Sequence, residues 1–129
     1  MRTKKTTILV IDDEQSVREN VAQFLRLEGH RVTEADNGAA GIAEALRSPP
    51  DLVLCDLMMP GVDGFGVLAR LRAEPTTSSV PFVFLTASAV PSDSTVGFKL
   101  GANEYITKPF SLAVLGEVVT QRLAIGRGS

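Results

Sequence analysis

Residues 51–64 read DLVLCDLMMPGVDG, an apolar run that ends in a carboxylate and continues into a turn. The run from Leu52 to Cys55 has the length and apolar character of a strand buried on both faces of a sheet. Asp56 ends the run, and Pro60 and Gly61 then favour a turn. Because an ionised carboxylate is costly to bury without partners, we expect Asp56 at the exposed end of this strand, surrounded by polar groups.

The segments on both sides of this strand alternate between the patterns of strands and helices. Further strands are predicted at residues 8–11, 31–35, 80–85 and 104–107. Apolar residues at helical spacing predict helices within residues 17–25, 39–46, 64–73, 91–100 and 112–124. Five strand–helix repeats indicate an α/β fold, in which a parallel sheet carries helices on both faces.

Local features refine this pattern. Residues 31–35 alternate in polarity, as expected of an edge strand, and Asp12 or Asp13 is expected to cap the first helix. The helix at 91–100 is rich in poor helix formers, so we expect a marginal helix that shifts at low cost. The last helix is expected to turn four apolar residues inward: Leu112, Leu115, Val119 and Leu123.

The composition limits the classes to which the protein can belong. A chain of 129 residues forms one domain, which we place at residues 1–125, with 126–129 as a flexible tail or the start of a linker. The net charge of −2 does not favour binding to nucleic acid or to anionic lipid. The single cysteine, Cys55, lies in an apolar run and is expected to be an inert buried thiol. No signal peptide or membrane span is apparent, so we expect a cytoplasmic protein.

Polar residues follow four of the five predicted strands: Asp12 and Asp13, Asp56, Thr86, and Lys108. Because ligands bind beyond the carboxyl ends of parallel strands, these side chains are expected to form one site. Any one of the acids alone would be read as a helix cap. Their repetition after successive apolar runs favours a functional site instead.

The residue types in this group indicate phosphoryl chemistry. Three neighbouring carboxylates repel one another unless a cation lies among them, and a hard cation such as Mg²⁺, with Mn²⁺ as an alternative, suits their oxygen atoms. Lys108 and Thr86 are suited to contact phosphoryl oxygens. With no Ser/His or Cys/His pair apparent, the central carboxylate of Asp56 is the best candidate for the nucleophile.

At these residues the chain resembles the receiver domain of two-component response regulators, of the chemotaxis-regulator type. Four motifs match in order and spacing: residues 11–14 (IDDE), 55–64 (CDLMMPGVDG), 85–87 (LTA) and 101–110 (GANEYITKPF). The resemblance covers about residues 6–124. It implies a flavodoxin-like, doubly wound (βα)5 fold, with a five-stranded parallel sheet in the order 2-1-3-4-5.

The resemblance also implies roles for individual residues. Asp56 resembles the phosphoacceptor, and Asp13 and Asp56 resemble carboxylate ligands of Mg²⁺. Asp12 resembles the acid that orients a metal-bound water, and the Met58 carbonyl resembles the remaining protein ligand.

Four further positions match the family's phosphate contacts and switch. Lys108 and Thr86 resemble the pair that contacts the phosphoryl group, and the bond before Pro109 is expected to be cis. Tyr105 resembles an aromatic switch that moves inward as Thr86 moves toward the phosphoryl group; without the resemblance it would be read as a half-buried strand tyrosine.

The implied partners are a histidine kinase or phosphotransfer protein and a downstream protein or output domain, with no direct contact to nucleic acid or membrane. The implied activity is limited to the domain's own phosphorylation and dephosphorylation. Val114, Val118 and Ile125 add apolar surface to the last helix, which suggests a partner or dimer face.

Three positions depart from the commonest family pattern. Met58 and Ser88 stand where the family tunes hydrolysis of the phosphoryl group, and Met58 cannot hydrogen-bond an attacking water, so we expect no strong intrinsic phosphatase activity. Gly97 stands where the fourth helix often has alanine.

Three other functions are alternatives for a chain with these residues. A phosphatase or phosphomutase of the haloacid-dehalogenase type would need an acid where Met58 stands. A nucleotide- or flavin-binding domain would need glycines after the first strand. A receiver used only for binding, without phosphorylation, is disfavoured by the complete set of polar residues.

Overall fold

A computed structural model describes residues 5–128 of the chain, and strands and helices alternate along it. The strands are β1 (Thr7–Ile11), β2 (Arg31–Ala35), β3 (Leu52–Cys55), β4 (Phe82–Thr86) and β5 (Glu104–Thr107). The helices are α1 (Gln15–Leu27), α2 (Gly38–Arg47), α3 (Gly64–Ala73), α4 (Pro91–Lys99) and α5 (Leu112–Gly128).

All neighbouring strands are parallel, and their order in the sheet is β2-β1-β3-β4-β5. The predicted doubly wound order and the edge position of β2 are therefore confirmed. Every residue of β3 is buried, as expected for the central strand of a sheet covered on both faces. In this order β3 lies between β1 and β4, which brings the end of β3 next to the ends of both neighbours.

Alternate residues of the strands contribute to two separate cores, because successive side chains of a strand point to opposite faces. Leu9 of β1 and Val53 of β3 pack in the core that includes α3. Ile8 and Leu52 pack in the other core, which is completed by α1 and α5. The two cores fix the faces of the sheet and leave its carboxyl edge for the loops that carry the polar residues.

The helix that follows β3 begins close to Asp56. Asp63 is the N-cap of α3, and its side chain accepts a hydrogen bond from the Gly66 N–H at 2.9 Å. A Cβ on Gly64 would lie 2.5 Å from the Asp56 carbonyl oxygen, so only glycine permits this approach. The start of α3 is thus packed directly against the end of β3.

Some boundaries differ from those predicted. Strand β4 spans 82–86 and not 80–85, because the Val80 N–H bonds to the Thr77 carbonyl in a turn and the ladder to β3 begins only after it. The N-cap of α1 is Glu14, with no side-chain cap. Asp12 does not cap this helix; its carboxylate accepts from the Glu14 N–H at 2.9 Å instead.

The last helix also differs from the prediction. It continues through Gly128, beyond the predicted end at residue 124; Ser129 lies outside the described residues. Among the described glycines only 29, 61 and 101 have positive φ, so no left-handed glycine ends α5 early. Leu112 was predicted to face inward but is exposed, because it begins α5 beyond the edge of the core. Leu115, Val119 and Leu123 are buried as predicted.

None of the helices within residues 5–128 combines the length and the hydropathy that crossing a membrane would require.

Candidate functional site

Asp12 and Asp56 are held at the ends of two adjacent strands by backbone hydrogen bonds. The Asp12 N–H bonds to the Ala35 carbonyl of β2 at 3.1 Å, and the Asp56 N–H bonds to the Ile11 carbonyl of β1 at 2.9 Å. These bonds extend the sheet ladder by one residue beyond each apolar run. Two carboxylates are therefore fixed side by side at the carboxyl edge of the sheet.

Asp12, Asp13 and Asp56 form an acidic cluster in which one carboxylate oxygen of each residue lies within 4.8 Å of the others. Asp12 and Asp56 are only 3% and 5% exposed, whereas Asp13 is exposed to solvent. The cluster thus has a buried floor and an open side. Oxygen ligands at this spacing suit a hard divalent cation.

The Lys108 ammonium neutralises part of this cluster. Its Nζ lies 2.9 Å from Asp12 Oδ2, 3.2 Å from Glu14 Oε1 and 3.4 Å from Asp56 Oδ2. The Lys108 N–H donates to the Thr86 carbonyl at 2.7 Å, which places Lys108 directly after the β4–β5 ladder. The peptide bond between Lys108 and Pro109 is cis. Lysine and carboxylates from β1, β3 and β5 thus meet in one place.

Burial and neighbouring charges shift the pKa of Asp12 and of Lys108. Burial raises the pKa of Asp12 above its ordinary value, although hydrogen bonds from the Glu14 N–H and Lys108 lower it in part. Burial acts to lower the pKa of Lys108, but the hydrogen bond and the charge of Asp12, with the charge of Asp56, raise it overall. Lys108 therefore remains a cation at neutral pH.

Thr86 ends β4 and is fully buried. Its Oγ1 accepts a hydrogen bond from the Ser88 N–H at 3.2 Å. The Tyr105 ring lies 5.8 Å from the ring of Phe84, and its hydroxyl donates to the Ser88 carbonyl at 2.9 Å. Thr86 and Tyr105 are therefore connected through the backbone of Ser88.

Met58 adds a backbone group to the rim of the site. Its N–H approaches Asp56 Oδ1 at 3.4 Å, while its side chain is exposed to solvent. The site therefore has no carboxylate two residues after Asp56. This is the position at which a haloacid-dehalogenase-type enzyme would need one.

Sequence reasoning missed several polar contacts. Glu14 joins the Lys108 ion-pair network, and Asp93 bonds to the Ser88 hydroxyl at 2.5 Å. His30, in the loop between α1 and β2, is half-buried and hydrogen-bonded to Thr6, and burial lowers its pKa. The sequence signal that could have indicated the role of Asp93 is its position as an acid in the first turn of a helix with weak helix formers.

Cys55 matches the prediction of an inert thiol. It is fully buried and unpaired, and burial raises its pKa well above the ordinary value. A thiol held in the protonated form is a poor nucleophile and a poor metal ligand.

The polar residues at the carboxyl edge of the sheet belong to a segment that matches a known domain family. The model of the family described as the response regulator receiver domain matches residues 8–120. The chain belongs to this family. A receiver domain explains why the acids, the threonine and the lysine follow successive strands of one parallel sheet.

Relatives of this receiver domain are regulators of greater length. The chain is 40% identical over 124 residues to the sensory transduction protein RegX3 of Mycolicibacterium smegmatis, covering 96% of this chain and 52% of the relative. It is 41% identical over 110 residues to the transcriptional regulatory protein ResD of Bacillus subtilis, covering 85% of this chain and 45% of the relative. The chain therefore spans about half the length of these curated relatives.

A solved structure offers a comparison for the acidic cluster. The receiver domain of a sensor histidine kinase from Pseudomonas aeruginosa PAO1 is 29% identical, with a TM-score of 0.86, and the match covers 94% of this chain and 99% of that one. That receiver domain carries a magnesium ion coordinated in its active site cleft. Receiver domains thus bind Mg²⁺ at an acidic pocket, and this chain has an acidic cluster of suitable composition.

Proposed function

We propose that Asp56 accepts a phosphoryl group, and that the resulting phospho-aspartate switches the conformation of the domain to control a partner. The observation that carries this proposal is the ammonium of Lys108 lying between two buried carboxylates, Asp12 and Asp56, in a receiver domain. A cation beside a buried carboxylate stabilises negative charge that arrives on it. Thr86, buried at the end of the next strand, supplies a hydroxyl for the same group.

The reaction is a displacement at phosphorus. A carboxylate oxygen of Asp56 attacks the phosphorus atom, and an oxygen–phosphorus bond forms. The bond from phosphorus to the donor breaks, and its electron pair leaves with the nitrogen of a phosphohistidine or with an oxygen of a small acyl phosphate. Lys108 and Thr86 contact the phosphoryl oxygens and stabilise their charge.

The acidic cluster fits Mg²⁺, because three carboxylate oxygens lie within 4.8 Å and one acid is open to solvent. Asp13 and Asp56, with the Met58 carbonyl, would hold the ion, and Asp12 would orient a water bound to it. Mn²⁺ is the alternative ion for the same oxygens. When bound, the cation supplies positive charge that offsets the acids and the incoming phosphoryl group.

The proposed output is a shift between two packings of the domain, which the phosphoryl group biases through Thr86 and Tyr105. Their connection through Ser88 supports this route. Catalysis by the domain is limited to its own phosphorylation and dephosphorylation. The exposed Met58 side chain offers no group to activate water, which supports the expectation of no strong intrinsic phosphatase activity.

The proposed phosphodonor is a histidine kinase or a phosphotransfer protein, and the proposed target is a downstream protein or an output domain. This receiver is not proposed to contact nucleic acid or membrane itself, since its net charge is −2. Any DNA contact belonging to relatives such as the transcriptional regulatory protein ResD would use the part of those proteins that this chain does not cover. A cytoplasmic location agrees with the unpaired Cys55.

The last helix is proposed as a partner or dimer face. Val114 and Ile125 are exposed, which supports the proposal, whereas Val118 is partly buried against the core and contributes less. Light scattering at high concentration tests the dimer. Equal masses with and without a phosphoryl analogue would remove it.

Mass spectrometry after incubation with acetyl phosphate and Mg²⁺ tests the phosphoacceptor. We expect one added phosphoryl group on the native chain and none on Asp56→Asn. Asp51→Asn is a matched control, because Asp51 is an exposed acid at the start of β3 that bonds to Thr7 at the opposite edge of the sheet. No adduct on the native chain would contradict the proposal. Hydrolysis of a phosphate monoester, with release of phosphate over many turnovers, would favour a dehalogenase-type phosphatase instead.

A further inference from the structure

Ser88 connects three parts of the rim of the site. Its N–H donates to Thr86 Oγ1 at 3.2 Å, its hydroxyl donates to Asp93 Oδ2 at 2.5 Å, and its carbonyl accepts from the Tyr105 hydroxyl at 2.9 Å. Ser88 is only 8% exposed, so water has little access to replace these bonds. The backbone conformation of Ser88 therefore affects both Thr86 and Tyr105.

Asp93 is the side chain that ties this turn to α4. It is the third residue of the helix, and the N-cap residue, Val90, forms no side-chain cap. A carboxylate in this position is favoured by the helix dipole and often reaches back to the residues before the helix. Here it reaches Ser88, so it joins the first turn of α4 to the end of β4.

Thr86 needs to present its hydroxyl in one direction to contact a phosphoryl oxygen. Its Oγ1 accepts from the Ser88 N–H, and no acceptor for its own hydroxyl hydrogen is found within residues 5–128. The Ser88 N–H occupies the acceptor side of the oxygen and leaves the hydrogen available. A buried donor in this state is suited to an oxygen that arrives on Asp56.

We propose that Asp93 is a positioning residue for phosphoryl binding: acting through Ser88, it holds the turn after β4 so that the Thr86 hydroxyl donates to a phosphoryl oxygen on Asp56. This inference rests on the proposed function and adds a residue to that site. Asp93 does not touch the reacting atoms. It acts on the position of the hydroxyl that does.

Loss of the Asp93 carboxylate leaves the Ser88 hydroxyl without its acceptor and frees the turn. We expect Asp93→Ala to weaken binding of a phosphoryl analogue about three- to tenfold, the range expected for one hydrogen bond. Asp93→Asn keeps an oxygen acceptor but removes the charge, so its affinity should stay within about twofold of the native value. Native-like affinity in Asp93→Asn would show that Asp93 acts as a hydrogen-bond acceptor and not through its charge.

The experiment is a titration with beryllofluoride in the presence of Mg²⁺. Tyr105 is the only tyrosine and the chain has no tryptophan, so the fluorescence of the native chain reports on the residue that bonds to Ser88. Ser94→Ala is the matched control, because Ser94 lies in the same helical turn and its hydroxyl donates to the Pro91 carbonyl, away from Ser88. It should titrate like the native chain, and thermal unfolding should show that every variant is folded.

The outcomes distinguish this inference from the proposed function. Ser88→Ala should lose at least as much affinity as Asp93→Ala, because it also removes the acceptor of the 3.4 Å bond from the Val90 N–H. The double variant should lose no more than Ser88→Ala, because both changes remove the bond between Ser88 and Asp93. Equal midpoints for the native chain and Asp93→Ala, or equal weakening in Asp93→Ala and Asp93→Asn, would overturn the inference alone. A native chain with no saturable response to beryllofluoride would overturn the proposed function as well.

Discussion

Helices α3 and α4 approach the same aromatic ring but are attached to the domain in different ways. A Cβ on Gly64 of α3 or on Gly97 of α4 would meet opposite edges of the Phe84 ring, at 2.8 and 3.0 Å. Beyond this shared contact, α3 buries three further residues, Val67, Leu68 and Leu71. Gly97 is the buried residue of α4.

Helix α4 has no buried apolar stripe like that of α3, and hydrogen bonds at its two ends attach it to the domain instead. At its start, Asp93 accepts from Ser88. Just beyond its end, the Arg72 guanidinium donates to the Gly101 carbonyl at 2.8 Å and to the Val80 carbonyl at 2.7 Å. Burial of apolar side chains stabilises the packed position of a helix through many non-directional contacts. A helix attached by a few hydrogen bonds can move when those bonds exchange partners. The comparison indicates that α3 is part of the fixed frame and that α4 is the element able to shift.

The largest expected difference is between apolar truncations in the two helices. Leu68→Ala in α3 removes a fully buried side chain and should lower the free energy of unfolding by about 3 kcal/mol. Phe98→Ala in α4 removes a larger side chain that is 49% exposed, and should cost less than about 1 kcal/mol. Urea unfolding measures both. Equal losses would show that α4 is anchored as firmly as α3.

Replacing Gly64 or Gly97 by alanine tests the difference between α3 and α4 at the Phe84 ring, which both helices contact. Gly64→Ala should destabilise by about 2 kcal/mol, because its Cβ would collide with the backbone of Asp56 and Leu57. Gly97→Ala should lie within about 0.5 kcal/mol of the native value, since the gain in helix propensity offsets a small outward shift of α4. Chemical denaturation, analysed with the same m-value for each variant, measures the two changes in the free energy of unfolding. A large loss in Gly97→Ala would mean that α4 cannot move away from Phe84.

The sequence predicted the sheet and the position of its polar residues more completely than the hydrogen bonds that attach α4. The parallel sheet, the position of Asp56 and the grouping of strand-end residues follow from apolar runs and from the general geometry of parallel sheets. The order of the strands was implied by the resemblance to receiver domains. The contact from Arg72 to Gly101 joins residues 29 positions apart and is made to a backbone carbonyl. No periodicity in the sequence marks such a bond.

Exposure at the ends of helices was also hard to predict. Leu112 continues the inward stripe of α5 by spacing, but the core ends before it, and the residue is exposed. The prediction of a marginal α4 rested on its composition, and the sparse burial of this helix agrees with it. Composition could not show that Asp93 would bond to Ser88, because the direction of that side chain depends on the turn before the helix.

A smaller expected effect concerns the attachment at the end of α4. Arg72→Ala leaves the carbonyls of Val80 and Gly101 without their donor and should cost about 1.5 kcal/mol. Arg70→Ala is the matched control on the same helix. Its pairing with Glu74 is at the surface, so we expect about 0.3 kcal/mol. Thermal unfolding of the two variants side by side tests this, and similar losses would argue against the Arg72 tether.

Native-state hydrogen exchange with and without beryllofluoride and Mg²⁺ tests most directly whether the Asp56 site controls α4. Without the analogue, amides of α4 should exchange faster than those of α3. With it, protection should change in residues 86–99, remain unchanged in α3, and show no such change in Asp56→Asn. Equal exchange in the two helices, or no change in α4 when the native site is saturated, would contradict this account.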